Sequence, residues 1–120
     1  MKTLTKFFLI LLAIFCLNGF GKNLFAQEKK VETVKIKTSA VCPQCKDRIE
    51  GGLAFEKGVK DISLDLETKI VTIKYNTKSV TPDDLRRKIS NLGYDADSIP
   101  ANKKAYEKLP ACCKKDAAKH

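Results

Sequence analysis

The sequence has little histidine and methionine. It contains one histidine, His120, and one methionine, Met1, at the two ends of the chain. Met1 is lost if an N-terminal leader is removed, which excludes a metal site built from methionine thioethers. His120 is interpreted as a terminal residue without a role, unless it joins a metal site in the C-terminal tail. The remaining side chains form no acid–base or nucleophile arrangement at a recognisable spacing. The sequence therefore predicts a protein that is not an enzyme.

The chain also lacks an apolar run of the length needed to span a bilayer. The run from Phe7 to Leu17 has about half that length. Lysines precede it, and Ala26 follows it just before the charged stretch 28–30, which is the order of a secretory signal peptide. We predict a signal peptide over residues 1–26, whose cleavage after Ala26 discards Cys16. The mature protein is predicted to be periplasmic or secreted, without a stable membrane anchor.

Acidic residues are fewer than basic ones, and the formal net charge is +9. The excess of lysine and arginine is spread along the chain, whereas a nucleic-acid-binding face requires clustered basic residues with interleaved aromatics. Composition therefore argues against a nucleic-acid partner and favours a solvated basic surface that steers an acidic partner. We predict a monomer.

Apolar spacing divides the chain into alternating and helical stretches. Period-two alternation predicts strands over 31–38, 59–66 and 69–75, and a short strand is predicted over 94–97. Apolar residues four apart predict helices that begin near Cys45 and at Pro82. This order predicts an α+β, ferredoxin-like βαββαβ sandwich over residues 27–98, with two helices on one face of a four-stranded antiparallel sheet. Residues 99–120 are predicted to form a flexible, Lys-rich tail with at most one helical turn.

Cys42 and Cys45 lie where the first strand gives way to the first helix, in the tetrapeptide Cys-Pro-Gln-Cys. At this spacing both sulfur atoms can point to one side, and backbone N–H groups at a helix start favour the thiolate form. Two thiolates without a third ligand nearby in sequence suit a two-coordinate soft ion such as Cu(I) or Hg(II). The alternative is a structural or redox disulfide.

The tetrapeptide and the stretches 58–59, 66–75 and 92–96 make the chain resemble the heavy-metal-associated domain family. This family includes copper chaperones, modules of metal-pumping ATPases and exported mercury-binding proteins. The resemblance implies reversible binding of a soft metal ion by Cys42 and Cys45, and its handover by thiol exchange to a membrane metal transporter or metal-pumping ATPase that docks transiently. Ala40 stands where the family usually carries methionine, which predicts a looser loop.

Three further residues are candidates for the site. The family commonly places an aromatic or lysine near the metal, so Tyr94 is a candidate for shielding the ion, the alternative being an ordinary core aromatic. Cys112 and Cys113 are candidate auxiliary ligands that raise the coordination number toward that preferred by Zn(II) or Cd(II), unless they are an unused or oxidised pair.

The competing function is that of an exported, thioredoxin-like thiol-disulfide oxidoreductase that uses Cys42 and Cys45. Thr81-Pro82 offers a candidate cis-proline for such an enzyme. No aromatic residue directly precedes Cys42, however, and the predicted sheet is antiparallel, so metal binding is the favoured interpretation.

Overall fold

The computed structural model describes residues 30–115. The predicted signal peptide, Cys16 and His120 lie outside the described residues. Within residues 30–115, no helix is both long and apolar enough to cross a membrane.

Three antiparallel strands form the sheet, in the spatial order β1-β3-β2. They are β1 (Val31–Lys37), β2 (Val59–Asp65) and β3 (Ile70–Asn76). Ile36 pairs with Val71 on one side of β3, and Leu64 pairs with Val71 on the other. Since side chains alternate between the faces of a strand, this register gathers the buried residues of all three strands on one face. The predicted hairpin of β2 and β3 is confirmed.

The two predicted helices form and pack on this apolar face. They are α1 (Pro43–Ala54) and α2 (Pro82–Asn91). Their buried apolar residues are Cys45, Ile49 and Leu53 in α1, and Leu85 and Ile89 in α2. These side chains join the strand residues in a single core cluster. The core therefore lies between one sheet face and two helices, and it fixes the start of α1 at one end of the sandwich.

The predicted fourth strand is not confirmed in the part of the chain that the structure describes. Its segment is joined to the end of the first strand by one antiparallel bridge, between Thr38 and Ala96. Asp97 then adopts a positive φ of 51°, which ends the extended conformation, and its carboxylate accepts a hydrogen bond from the Lys37 backbone N–H at 2.8 Å. Ala96 also bridges back to Ile99, so the chain turns away from β1 where a fourth strand would continue.

Residues 99–115 pack on the domain, which differs from the flexible tail that composition predicts for residues 99–120. It forms a short helix, α3 (Lys103–Glu107), and a 3₁₀ turn at Ala111–Cys113. Leu109 and Cys113 are buried and belong to the same core cluster as the strands and helices. Burial of these two side chains therefore holds the segment against the domain, although its overall composition is polar and basic.

Candidate metal centre

The first two predicted ligands lie at the start of α1. Cys42 is the residue that precedes the helix and has extended backbone angles, while Pro43 occupies the first helical turn and Cys45 follows within it. The Cys42 side chain is half-buried, and Cys45 is fully buried. Their Sγ atoms are 3.2 Å apart. The strand-to-helix junction therefore brings both sulfur atoms together, as their spacing predicts.

The C-terminal segment brings the second cysteine pair to the same place. The Sγ atom of Cys113 lies 3.7 Å from that of Cys42 and 3.9 Å from that of Cys112. The Sγ atoms of Cys42, Cys112 and Cys113 all lie within 4.8 Å of one another. The four cysteines within residues 30–115 are free thiols. Cys112 and Cys113, which the sequence predicts only as candidate auxiliary ligands, therefore lie close to the cysteines of the tetrapeptide.

Gln44 was not singled out by sequence reasoning, yet it helps hold this arrangement. Its side-chain oxygen accepts a hydrogen bond from the Cys112 thiol, with a sulfur–oxygen distance of 2.8 Å. No spacing rule connects two residues so far apart in sequence. The only local signal for packing of this segment is that the apolar residues Leu109 and Cys113 are four positions apart, a spacing that allows both to face the domain.

The sulfur–sulfur distances can be compared with those around a thiolate-bound metal ion. With a metal–sulfur bond of about 2.3 Å, neighbouring sulfur atoms are about 3.8 Å apart in a tetrahedral site and about 4.0 Å apart in a trigonal site. The distances from Cys113 to Cys42 and to Cys112, 3.7 and 3.9 Å, match these values. A linear site needs about 4.6 Å, so Cys42 and Cys45 have to separate by about 1.4 Å to hold an ion linearly. The donor set suits a soft metal ion, and the close approach of Cys42, Cys112 and Cys113 fits a site of three thiolates.

Tyr94 lies in the core next to the candidate ligands. Its side chain is fully buried, and its hydroxyl has no hydrogen-bond partner within residues 30–115. Burial raises the pKa of Tyr94 above its usual value, and the neighbouring Cys113 and Cys45 thiols raise this pKa further. Tyr94 therefore stays a neutral hydrogen-bond donor beside two candidate ligands. Its role in shielding a bound ion stays a prediction.

Burial also changes the acidity of Cys113. It raises the pKa of the Cys113 thiol well above the usual value for cysteine, and the neighbouring Cys45 contributes to the rise. The protein without metal therefore keeps a proton on Cys113, and a metal ion must displace that proton to bind this sulfur.

The family's usual methionine position is occupied by Ala40, which is fully buried. Its backbone N–H donates a hydrogen bond to the Thr38 hydroxyl at 3.2 Å. Ala40 lies in one core cluster with Tyr94 and Cys113. The predicted looseness of the loop remains a prediction.

The chain is similar in sequence to a known metal transporter and in fold to known metal-binding proteins. The chain is 34% identical over 82 residues to copper-transporting ATPase 1 of Rattus norvegicus, which is 68% of this chain but only 5% of that ATPase. Its fold is similar to that of CopZ metallochaperone, with a TM-score of 0.53 and 24% identity over 54% of this chain and 98% of that protein. It is also similar to that of oxidized MerP from Ralstonia metallidurans CH34, with a TM-score of 0.54 and 16% identity over 56% of this chain and 94% of that protein.

These likenesses confirm the ferredoxin-like fold class, although the sheet described here has three strands. The model that matches residues 35–95 is that of a metal-binding domain, which bears out the prediction that this domain is not an enzyme. Residues 35–95, just over half of the chain, match the model of the family described as the heavy-metal-associated domain. The chain therefore belongs to the heavy-metal-associated domain family.

Proposed function

We propose that this protein is an exported metallochaperone or scavenger that holds Cu(I) between Cys42 and Cys45 and passes it to a membrane metal transporter. The observation that carries the proposal is the approach of the two Sγ atoms to 3.2 Å at the start of α1, inside the range that matches the family, from which they have to separate by about 1.4 Å to hold the ion linearly. Copper-transporting ATPases among its relatives support Cu(I), while Hg(II), Zn(II) and Cd(II) are the other ions that suit thiolates.

Handover follows from the unequal exposure of the two ligands. Cys42 is half-exposed, whereas Cys45 is buried, so an incoming partner thiolate reaches the ion from the Cys42 side. A new metal–sulfur bond forms as the Cys42–metal bond breaks, and Cys42 takes up the proton that the partner thiol has released. Repetition at Cys45 completes the transfer. A metal-pumping ATPase with paired cysteines of its own, docked transiently, is the expected acceptor.

A transfer assay tests the proposal. The reduced protein loaded with one Cu(I) per chain is mixed with a separately purified copper-pump domain that carries two cysteines, and the copper content of each is measured after separation. We expect Cu(I) to redistribute to the acceptor, whereas the Cys42→Ser/Cys45→Ser double variant does not load. Double-variant protein that loads and transfers like wild type would refute the assignment. Insulin reduction by the metal-free protein would instead support the oxidoreductase.

Export is a separate part of the proposal. The basic start, short apolar run and small residue at position 26 support cleavage of the leader between Ala26 and Gln27. Expressed in a bacterial host, the protein is expected in the periplasmic fraction with Gln27 as its first residue by N-terminal sequencing, and as a monomer by light scattering. Recovery of uncleaved protein from the cytoplasm would contradict export.

A further inference from the structure

Two cysteines of the C-terminal segment lie outside the range that matches the family but next to its metal-binding cysteines. The family match ends at residue 95, and the segment that follows carries Cys112 and Cys113. Cys42 is in contact with both pairs, since its Sγ atom is 3.2 Å from that of Cys45 and 3.7 Å from that of Cys113. A site with more thiolates than the tetrapeptide supplies is therefore assembled at this end of the sandwich.

The position of this segment is held by contacts that do not involve sulfur. The Asn102 backbone N–H donates to the Ser90 carbonyl at 3.0 Å, and the Ser90 hydroxyl donates to the Pro100 carbonyl at 2.7 Å. Lys115 forms an ion pair with Asp95 at 2.6 Å. The Leu109 side chain is buried, with 4% of its surface exposed. Because folding already orders this segment, little further entropy is lost when its thiols bind an ion.

The buried Tyr94 hydroxyl is a second, independent indication of a ligand here. It is fully buried beside the Cys45 and Cys113 thiols and makes no hydrogen bond of normal geometry to any group among residues 30–115. Buried polar groups in native proteins normally have a partner. A metal-bound thiolate accepts hydrogen bonds more strongly than a thiol does, so binding of an ion by Cys113 supplies the missing acceptor.

We propose that Cys112 and Cys113 form a built-in ligand arm, which joins Cys42 to hold Cu(I) in a three-thiolate site. This inference rests on the proposed function, because it takes the ion held by Cys42 and Cys45 as its cargo. Cys42 is common to both sites. The ion is retained by Cys42, Cys112 and Cys113. For transfer, a partner thiolate displaces Cys112, and Cys45 replaces Cys113 as a ligand while the Cys45 proton passes to the Cys113 thiolate. Cys42 and Cys45 then present the ion.

The arm makes handover depend on displacement of Cys112. This residue is the exposed member of the three, whereas Cys113 is buried and Cys42 is half-buried. A partner thiol that loses its proton forms a new sulfur–copper bond as the Cys112–copper bond breaks, and the Cys112 thiolate takes up the proton. No electron is transferred, and Cu(I) stays monovalent. The arm therefore slows release until an acceptor with its own thiols arrives.

Cys112→Ser is the decisive variant, because Cys112 is exposed and its replacement does not disturb the core. Ala111→Ser is the matched control, since it adds a hydroxyl at the neighbouring exposed position. Copper-edge X-ray absorption of the full chain loaded with one Cu(I) counts sulfur ligands. We expect three in wild type and in Ala111→Ser, and two in Cys112→Ser. Cu(I) affinity in Cys112→Ser should fall about 10- to 100-fold, and transfer to the acceptor domain should become faster.

The outcomes separate this inference from the function on which it rests. Two sulfur ligands in wild type, or a Cys112→Ser affinity and transfer rate equal to those of wild type, would overturn the ligand arm. If the Cys42→Ser/Cys45→Ser variant lost Cu(I) in the same experiments, the proposed function would still stand. Wild-type affinity in that double variant would instead overturn the proposed function.

Discussion

Replacement of Cys42 by serine is expected to lower the affinity of the protein for Cu(I) by at least about 100-fold, more than any other single cysteine substitution. Cys42 belongs to both proposed sites, since its Sγ atom is 3.2 Å from that of Cys45 and 3.7 Å from that of Cys113. Its loss removes a ligand from the two-thiolate site and from the three-thiolate site at once. Serine keeps the size of the side chain but offers a hydroxyl, which is a poor ligand for a soft ion.

Cys45→Ser is the matched comparison, because it removes the other cysteine of the same tetrapeptide. It leaves Cys42, Cys112 and Cys113 within 4.8 Å of one another, so the three-thiolate site survives. Competition with a coloured Cu(I) chelator under anaerobic conditions measures both affinities. Urea unfolding of the metal-free variants checks that each folds. Equal losses in Cys42→Ser and Cys45→Ser would show that the ion uses the tetrapeptide alone.

Local patterns in the sequence were sufficient to predict most of the fold. Alternation identified β2 and β3 as a hairpin, and spacing of four identified the buried stripe of α1. The fourth strand failed because its end depends on a single residue, Asp97, whose positive φ and hydrogen bond to Lys37 turn the chain. Neither feature produces a periodic pattern in the sequence, so the alternation of four residues could not show that the strand would end there.

For the candidate site, too, the sequence predicted the part that depends on local geometry and missed the part that depends on tertiary packing. Cys42 and Cys45 are neighbours because of helix geometry, which a short sequence motif encodes. The approach of Cys113 depends on tertiary packing of the segment after residue 98, where Leu109 stands among lysines and is buried. A Lys-rich composition favours disorder, but burial of Leu109 and Cys113 in the core cluster provides the apolar contacts that order this segment.

Gly93→Ala is expected to destabilise the protein by about 2–4 kcal/mol and to loosen the C-terminal segment, combining backbone strain with crowding. Gly93 has a φ of +103°, which side chains other than glycine rarely adopt. A Cβ atom there would lie 3.0 Å from the Ala105 carbonyl oxygen and 3.1 Å from Leu109 Cγ. The new methyl group therefore pushes against the helix and the side chain that hold Cys113 in place.

Gly51→Ala provides a control with the same chemical change. Gly51 lies inside α1, and an added Cβ would meet nothing within 4 Å, so alanine should stabilise the helix by about 0.5–1 kcal/mol. Urea unfolding measures both free energies, and the rate at which a thiol reagent modifies Cys113 itself, followed by tandem mass spectrometry of the metal-free protein, reports exposure of this residue. We expect faster modification in Gly93→Ala but not in Gly51→Ala. Wild-type stability and thiol reactivity in Gly93→Ala would mean that the C-terminal segment does not pack against Gly93, and the approach of Cys113 to Cys42 would lose its structural support.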